Sequence, residues 1–527
     1  MSGALGHVAT VLPAHHASWD AAARTVRVEV PGPALSDACG AVHAGLNAPL
    51  TVMTGTDDRA LGRGYGLAYV FSLDAADAFV SIEARLDPGH PSFPSVTPRV
   101  PAAHWYEREV KDLLGLDPQG HPDPRRLVLH EDWPRGLHPL RKDFDPRQRP
   151  PRAPHPEGPI TGVRGEGVME IPIGPIHAGI IEPGHFRFGA VGELVLQLEA
   201  RLFYTHRGIE KAAEGASLER ALFLAERICG VCSLSNAVAF CQALETLAGT
   251  TPSRRALLVR STLLELERLY NHVGDIANLC AGASLQLGVY QGGVLRERLQ
   301  ELCERVAGHR YLFGVAWPGG VRRDLDTAAR ADLRATLAGV ESELRGLVAA
   351  LLDTESFVER ITGTGVLTAE VARSFGAVGV TARASGVGRD TRRIHPYAAY
   401  DPARVTPVVR TDGDVRARLL VRVDETTASF ALVRDFLGEL DATPPGALAT
   451  ALGPLPAERS ALGIVESPRG EDVHHVVTGR GGALHRYRVR SASYNWAVVP
   501  FTVPGSMVPD FPLINKSFEL CYACLDR

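Results

Sequence analysis

The chain has 527 residues, of which 45% are hydrophobic and 22% are charged, with a formal net charge of -4. This composition supplies core for one large domain or two to three ordinary domains, and it excludes a predominantly disordered chain. The basic excess of a nucleic-acid-binding protein is missing, so we expect no DNA or RNA partner.

The first 145 residues predict an α+β domain. Thr25–Val30 and Gly66–Ser72 have the composition of strands, and Ala103–Gly115 has the spacing of an amphipathic helix. One interpretation of the charges in this helix and of the Pro-rich stretches after it is a set of solvated side chains and a loop. Residues 146–166 are rich in Pro, Arg and Gly, which predicts a semi-extended linker between two domains.

Residues 167–527 predict a second, mainly helical domain with small peripheral sheets. Alternation from Phe186 to Leu198 indicates strands, and Leu218–Arg227 indicates a helix. Apolar residues then recur at three- and four-residue steps, as in the core of a helical bundle. The helices predicted in this way lie near Asn236–Leu247, Ser253–Leu279, Val294–Phe313, Thr327–Leu352 and Leu420–Glu439.

Two C-x-x-C pairs flank most of this second domain: Cys229 with Cys232, and Cys521 with Cys524. A two-residue spacing lets both sulfurs of a pair face one ion, so the pairs can deliver four thiolates to one centre. Only the tertiary fold could join pairs so far apart, unlike those of a zinc finger or ribbon. We therefore expect a buried metal site, with a zinc ion bound by four cysteines as the alternative. The other cysteines are isolated and are expected to be core residues without disulfides: Cys39, Cys241, Cys280 and Cys303.

Several motifs carry a resemblance to known families. The W-Y-E-R-E-x-x-D-L-x-G helix within His104–Gly115 resembles the signature of the 30-kDa subunit of respiratory complex I, a docking piece without a cofactor. The motifs of the second domain resemble the large subunit of NiFe hydrogenases. The group they resemble is the complex I-related, membrane-associated one, which includes the formate hydrogenlyase and hydrogenase four types. The matching stretches are Glu182–Arg187, His206–Lys211, Arg227–Cys232, Glu265–Arg268, Gly319–Asp324, Ala382–Gly386, Pro468–Gly470, Asp510–Ile514 and Cys521–Cys524.

This resemblance implies a cofactor and its ligands. Cys229 and Cys521 would be terminal nickel ligands, and Cys232 and Cys524 would bridge nickel to an iron that carries carbon monoxide and cyanide. Soft thiolates suit both metals. Arg469, which follows Pro468, would lie beside the diatomic ligands and donate to cyanide.

The resemblance also implies a route for protons, with Glu182 as the acidic proton acceptor. Purely structural roles are the alternatives for these residues. Arg469 could be a cation in a surface turn, and Glu182 could cap a strand end. His272 and Asp510 are weaker candidates, and a core role for His272 is as well supported as proton transfer.

Two positions depart from the family pattern. Asn236 stands where C-x-x-C-x-x-x-His is usual, and Glu519–Leu520 stands where Asp-Pro is usual. An amide in place of the histidine would alter the hydrogen bonds near a bridging sulfur. It would also change the side chains that surround the cofactor, without removing a metal ligand. Family precursors also continue into a C-terminal tail that a maturation protease removes, so such a protease is a candidate partner.

The implied function is the catalytic large subunit of a hydrogenase that interconverts hydrogen with protons and electrons. The chain has no further cysteine cluster, so iron–sulfur clusters are expected only in partners: a small subunit, further iron–sulfur subunits and integral membrane subunits. No signal peptide or membrane-spanning run is evident. We expect a cytoplasmic protein, peripheral on the inner face of the cytoplasmic membrane. The alternative, a metal-free or low-activity structural subunit of a complex I-like quinone oxidoreductase, is favoured by Asn236 and Glu519–Leu520 and opposed by the four cysteines.

Overall fold

The N-terminal part of the protein is built on a mixed five-stranded sheet. The computed structural model describes residues 2–153, 162–177 and 181–527. The sheet has the order β1-β2-β5-β4-β3, with β2 and β5 parallel and the other pairs antiparallel. The elements of this part are α1 (Ser2–Val11), β1 (Ala17–Asp20), β2 (Thr25–Glu29), α2 (Leu35–Gly45), β3 (Leu50–Asp57), β4 (Tyr65–Leu73), β5 (Ala78–Leu86), β6 (Ser92–Pro94), α3 (His104–Leu114) and β7 (Asp117–Gln119).

The sequence-based predictions for this part are confirmed. The two predicted strands correspond to β2 and β4, and the predicted helix corresponds to α3. Gly115 ends α3 because its φ of 74° is a left-handed conformation that glycine adopts without steric cost.

The interpretation of the charges in α3 as solvated is wrong. Glu107 and Glu109 are 0% and 2% exposed. Asp112 accepts hydrogen bonds from the backbone N–H groups of residues 127, 128 and 129, at 2.8, 2.9 and 3.1 Å. These carboxylates are therefore internal acceptors that hold the following loop and, as described below, the second part of the chain.

The second part is a helical bundle with small sheets. Its long central helix α7 packs against α8, α14 and α15. The elements are β8 (Val168–Ile173), β9 (His185–Val191), β10 (Leu194–Arg201), α4 (Ile209–Ala213), α5 (Leu218–Glu226), α6 (Ser233–Ala248), α7 (Arg254–Gly282), α8 (Gln286–Ala307), β11 (Ala316–Trp317), β12 (Gly320–Val321), α9 (Thr327–Leu352), α10 (Glu355–Ile361), α11 (Ala369–Ser374), α12 (Gly379–Arg383), α13 (Thr391–Ile394), α14 (Val415–Ala442), β13 (Ser460–Ser467), β14 (Gly470–Thr478), β15 (Leu484–Arg490), α15 (Phe511–Phe518) and α16 (Tyr522–Asp526).

The predicted helices of the bundle are all present, but α8 is displaced from its predicted range. It begins at Gln286 and ends at Ala307, because Gly308 adopts a φ of 81°. The prediction missed its first two turns, which contain Gly288 and Gly292. These glycines serve helix packing: a Cβ at Gly292 would lie 2.7 Å from the Cβ of Ala277 in α7.

Strands β13, β14 and β15 form an antiparallel sheet that joins the two parts of the molecule. No element was predicted here from the sequence. The sheet packs against α6 on one side and approaches β3 on the other. Arg486 and Arg488 of β15 donate to the carbonyl oxygens of Gly55 and Met53, at 3.0 and 3.1 Å. The N-terminal part is thus hydrogen-bonded to the centre of the second part.

Gly463 lets α6 lie directly on this sheet. A Cβ at this position would be 1.7 Å from the carbonyl oxygen of Ala239 in α6. We expect Gly463→Ala to lower the free energy of unfolding by at least the ~1–3 kcal/mol that overpacking costs, as measured by chemical denaturation. Gly438→Ala is the control: it lies in α14 with no atom within 4 Å of the added Cβ, and should stabilise by about 0.5–1 kcal/mol. Unchanged stability of Gly463→Ala would contradict the close packing.

The predicted linker lies partly outside the described residues. Residues 154–161 of the range 146–166 are not among them. The boundaries at residues 145 and 167 therefore stay predictions. In the described parts of the chain, every helix is too short or too polar to cross a membrane.

Candidate metal centre

The two C-x-x-C pairs meet in the interior of the second part. Cys229 and Cys232 lie in the loop between α5 and α6, and Cys521 and Cys524 lie at the start of α16. The Sγ atoms of Cys229 and Cys521 are 3.4 Å apart, and those of Cys229, Cys521 and Cys524 all lie within 4.8 Å of one another. Cys232 lies outside this group of three, because its Sγ is more than 4.8 Å from at least one of the other sulfurs, but the thiols of Cys229 and Cys524 are its neighbours. We call these residues the four-cysteine site.

The thiols of the site differ in acidity. Hydrogen bonds from the thiols of Cys229 and Cys524 lower the pKa of Cys232 to about 6, and the nearby guanidinium of Arg469 adds to this effect. The hydrogen bond with Cys229 raises the pKa of Cys521 to about 12. Three of the four thiols are buried and Cys521 is half-buried. This set of soft donors, shielded from water, suits thiophilic metal ions.

Arg469 lies against the site. Its Nη1 donates to Sγ of Cys232 over 3.2 Å and to Oδ1 of Asn271 over 2.9 Å, and its Nε donates to the carbonyl oxygen of Glu519 over 2.6 Å. Burial opposes the charge of Arg469, but the thiolate of Cys232 and the carboxylate of Asp275 raise its pKa well above the usual value. The interpretation of Arg469 as a cation in a surface turn is therefore wrong.

The backbone around Arg469 is held by a contact between two glycines. Pro468 and Arg469 form the turn between β13 and β14, and Pro468 is buried. A Cβ at Gly379 would lie 2.0 Å from the carbonyl oxygen of Arg469, and a Cβ at Gly470 would lie 2.7 Å from the Cα of Gly379. Both glycines have positive φ. The turn can therefore occupy this position only because Gly379 and Gly470 have no side chains.

Asn236 is also at the site, on the first turn of α6. Its Nδ2 donates to the carbonyl oxygen of Cys232 over 2.7 Å, and its Oδ1 lies 3.1 Å from Nε2 of His474. The amide thus contacts the backbone of a cysteine and not a sulfur.

Glu182 lies close in space to the C-terminal residues of the chain. It is half-buried, and the ring of Tyr522 lies 2.7 Å from where a Cβ at Gly184 would be. Burial raises the pKa of Tyr522 to about 12 and of Asp526 to about 6, and the charge of Glu182 contributes to both shifts. Glu182 therefore lies within electrostatic range of the helix that carries Cys524.

The weaker candidates have structural roles. His272 is buried in α7, where its Nε2 lies 2.8 Å from a carboxylate oxygen of Glu425. Asp510 accepts a hydrogen bond from the backbone N–H of Met507 at 3.2 Å, which caps the turn before α15. Neither of these hydrogen bonds involves a cysteine of the four-cysteine site.

Glu519 and Leu520, which depart from the family pattern, lie beside the second pair. Glu519 has a φ of 51°, and its Oε1 accepts a hydrogen bond from Asn278 at 2.6 Å. Leu520 is buried in the core that the two parts share. The segment therefore contributes a carbonyl to Arg469 and an apolar anchor, in place of the usual Asp-Pro.

Sequence analysis missed Asn271, Asp275 and His474. Asn271 connects Arg469 to the first cysteine pair, because its Nδ2 donates to the carbonyl oxygen of Val231 over 2.7 Å. Asn271 and Asp275 are four residues apart on one face of α7, which is the only local signal they carry. The expected core role of the isolated cysteines is confirmed, since all of them are buried: Cys39, Cys241, Cys280 and Cys303.

Comparison with known proteins gives three matching family models. Their descriptions and matched residues are respiratory-chain NADH dehydrogenase 30 Kd subunit (28–150), nickel-dependent hydrogenase (207–281), and respiratory-chain NADH dehydrogenase 49 Kd subunit (289–458 and 446–527). The nickel-dependent hydrogenase match includes the first cysteine pair, and the 49 Kd match includes the second.

Similar proteins include members of two functional groups. Formate hydrogenlyase subunit 5 of Escherichia coli K12 is 38% identical, over 91% of this chain and 84% of its own. The C/D protein of the NADH-quinone oxidoreductase of Phocaeicola vulgatus is 32% identical, over 72% of this chain and 76% of its own. A chain of the membrane-bound sulfane sulfur reductase, an archaeal respiratory membrane complex, superposes with a TM-score of 0.64 at 26% identity, over 68% of this chain and 99% of its own.

Proposed function

Because the chain belongs to the family of complex I-related NiFe hydrogenase large subunits fused to a 30-kDa-type domain, we propose that it is a catalytic large subunit that interconverts hydrogen with protons and electrons. The observation that carries the proposal is the convergence of the two cysteine pairs, with three sulfurs within 4.8 Å of one another and the fourth, of Cys232, in contact with the Arg469 guanidinium. A metal-free subunit of a quinone oxidoreductase has no chemical need for this set of ligands.

The four-cysteine site would hold the metals. Cys229, Cys232, Cys521 and Cys524 would be the thiolate ligands of a nickel–iron centre whose iron carries carbon monoxide and cyanide. When bound, this centre supplies heterolytic cleavage of hydrogen.

Arg469 would orient the iron's diatomic ligands. Its Nη1 already contacts Cys232, and its Nε is anchored on the carbonyl oxygen of Glu519, so the guanidinium plane is fixed beside the sulfurs. A fixed planar donor suits a cyanide nitrogen better than the mobile ammonium of a lysine would. Pro468 and Asn236 would complete the lining.

Glu182 would carry protons at its carboxylate oxygens. It is half-buried and within electrostatic range of the helix of Cys524, so in this proposal it would connect the thiols with solvent. A carboxylate in this position can accept a proton released at the site and pass it outward.

Electrons would leave through other subunits. The cysteines outside the site are isolated and buried, so they form no iron–sulfur cluster. We propose an iron–sulfur small subunit, further iron–sulfur subunits and integral membrane subunits as partners, on the inner face of the cytoplasmic membrane, and a maturation protease. The relatives named as parts of membrane complexes support this placement.

Elemental analysis and infrared spectroscopy of the complex from its own host test the proposal. We expect one nickel per chain, together with bands in the carbon monoxide and cyanide stretching region. One zinc per chain without such bands would identify a structural zinc site. Absence of nickel, zinc and the bands would favour the second candidate, a metal-free structural subunit of a quinone oxidoreductase, which the NADH-quinone oxidoreductase relatives and the substitutions at Asn236 and Glu519–Leu520 support.

A further inference from the structure

His474 is a buried histidine for which the proposed function has no role. It lies in β14, opposite Gly463 of β13. Its Nε2 is 3.1 Å from Oδ1 of Asn236, and its Nδ1 is 2.8 Å from the hydroxyl oxygen of Tyr487. Asn236, His474 and Tyr487 are at most 1% exposed, so water does not compete for these hydrogen bonds.

The chemistry of the amide sets the direction of these hydrogen bonds. Nδ2 of Asn236 donates to the Cys232 carbonyl, which leaves the amide oxygen facing His474. An amide oxygen only accepts, so Nε2 of His474 carries the hydrogen, and Nδ1 of the neutral ring accepts from Tyr487. Burial lowers the pKa of His474 to about 3, which keeps the ring neutral. Donation therefore runs in one direction, from Tyr487 towards Cys232.

Gly463 brings the strand and the helix close enough for this contact. It pairs directly with His474, and its missing side chain lets the backbone of α6 at Ala239 lie against the sheet. Ala239 is one turn after Asn236 in α6. The approach of helix to sheet is therefore closest at the level of the histidine.

We propose that His474 is a positioning residue of the four-cysteine site. It holds the Asn236 amide against the Cys232 carbonyl and so fixes the peptide from which the Cys232 thiol projects. Asn236 stands where the family pattern has a histidine, and in this protein an imidazole reaches the same turn from β14 through the amide. The inference rests on the proposed function, in which Cys232 would be a metal ligand.

The test compares His474→Leu with His475→Leu in the complex from its own host. His475 is the matched control: it is also buried in β14, points to the opposite face, and its Nδ1 lies 2.8 Å from Oγ1 of Thr54. His474→Leu loses two buried hydrogen bonds and His475→Leu loses one, so both variants should lower the melting temperature. Only His474→Leu should shift the infrared bands and weaken nickel retention against a chelator by about 10- to 100-fold. His474→Gln, whose amide can donate to Asn236, should restore both properties in part.

Several results would overturn this inference. Wild-type bands and nickel retention in His474→Leu would do so, and so would equal shifts in the His475→Leu control. Absence of nickel and of the bands from the wild-type complex would instead overturn the proposed function, and the inference with it.

A separate measurement tests the hydrogen bond without metal. In metal-free protein with 15N-labelled histidine, the Nε2–H signal of His474 should move in Asn236→Ala while the His475 signal stays. A stationary His474 signal would show that the bond to Asn236 does not form, which also overturns the inference.

Discussion

Cys229→Ser is expected to abolish nickel retention. The Sγ of Cys229 is 3.4 Å from that of Cys521 and contacts the other two thiols, so this residue is central to the donor set. A serine hydroxyl is a hard donor that is not ionised at neutral pH, and it replaces a soft thiolate poorly. Elemental analysis of the purified complex should therefore give nickel close to zero per chain, without infrared bands.

Cys303→Ser is the matched control for this prediction. Cys303 is buried in α8 and is not one of the thiols that meet at the site, and burial raises the pKa of its thiol well above the usual value. The same chemical change there should leave nickel at one per chain. Equal nickel contents in the two variants would show that Cys229 is not a ligand.

Glu109→Ala is expected to destabilise the protein by about 3–5 kcal/mol. Glu109 of α3 is 2% exposed and accepts hydrogen bonds from Arg488, Tyr494 and Arg527. Burial alone would raise its pKa, but the guanidinium groups of Arg488 and Arg527 hold that pKa below the usual value. Alanine would leave these two buried guanidinium groups with Glu210 as their remaining carboxylate. Chemical denaturation measures the loss.

The same change should loosen the end of the chain that carries Cys524. Arg527 directly follows α16, so hydrogen exchange at residues 521–527 should become faster in Glu109→Ala. The control is Glu343→Ala, whose side chain is 57% exposed and pairs with Arg298, and it should change stability by no more than about 0.5 kcal/mol. Exchange at wild-type rates in Glu109→Ala would mean that the N-terminal part does not support the site.

The helices of this fold were predictable because their apolar spacing and end signals are local. The sheet of β13, β14 and β15 was not. Its strands contain charged and polar residues such as Arg486, Arg488 and His474, which resemble solvated positions in the sequence. Their partners, among them Glu109 and Glu210, lie hundreds of residues away. The burial of these charges depends on contacts that no local pattern records.

The sequence by itself determined the family, the identity of the four thiols and the arginine of the Pro-Arg-Gly turn, because these are choices of residue type at fixed local spacing. Only the tertiary structure decided that the two cysteine pairs meet, that Arg469 contacts Cys232, and that Asn236 is hydrogen-bonded to His474. These relations arise where α6, α7, β14 and the last residues converge. Each distance there is set by the packing of elements that are remote in the chain.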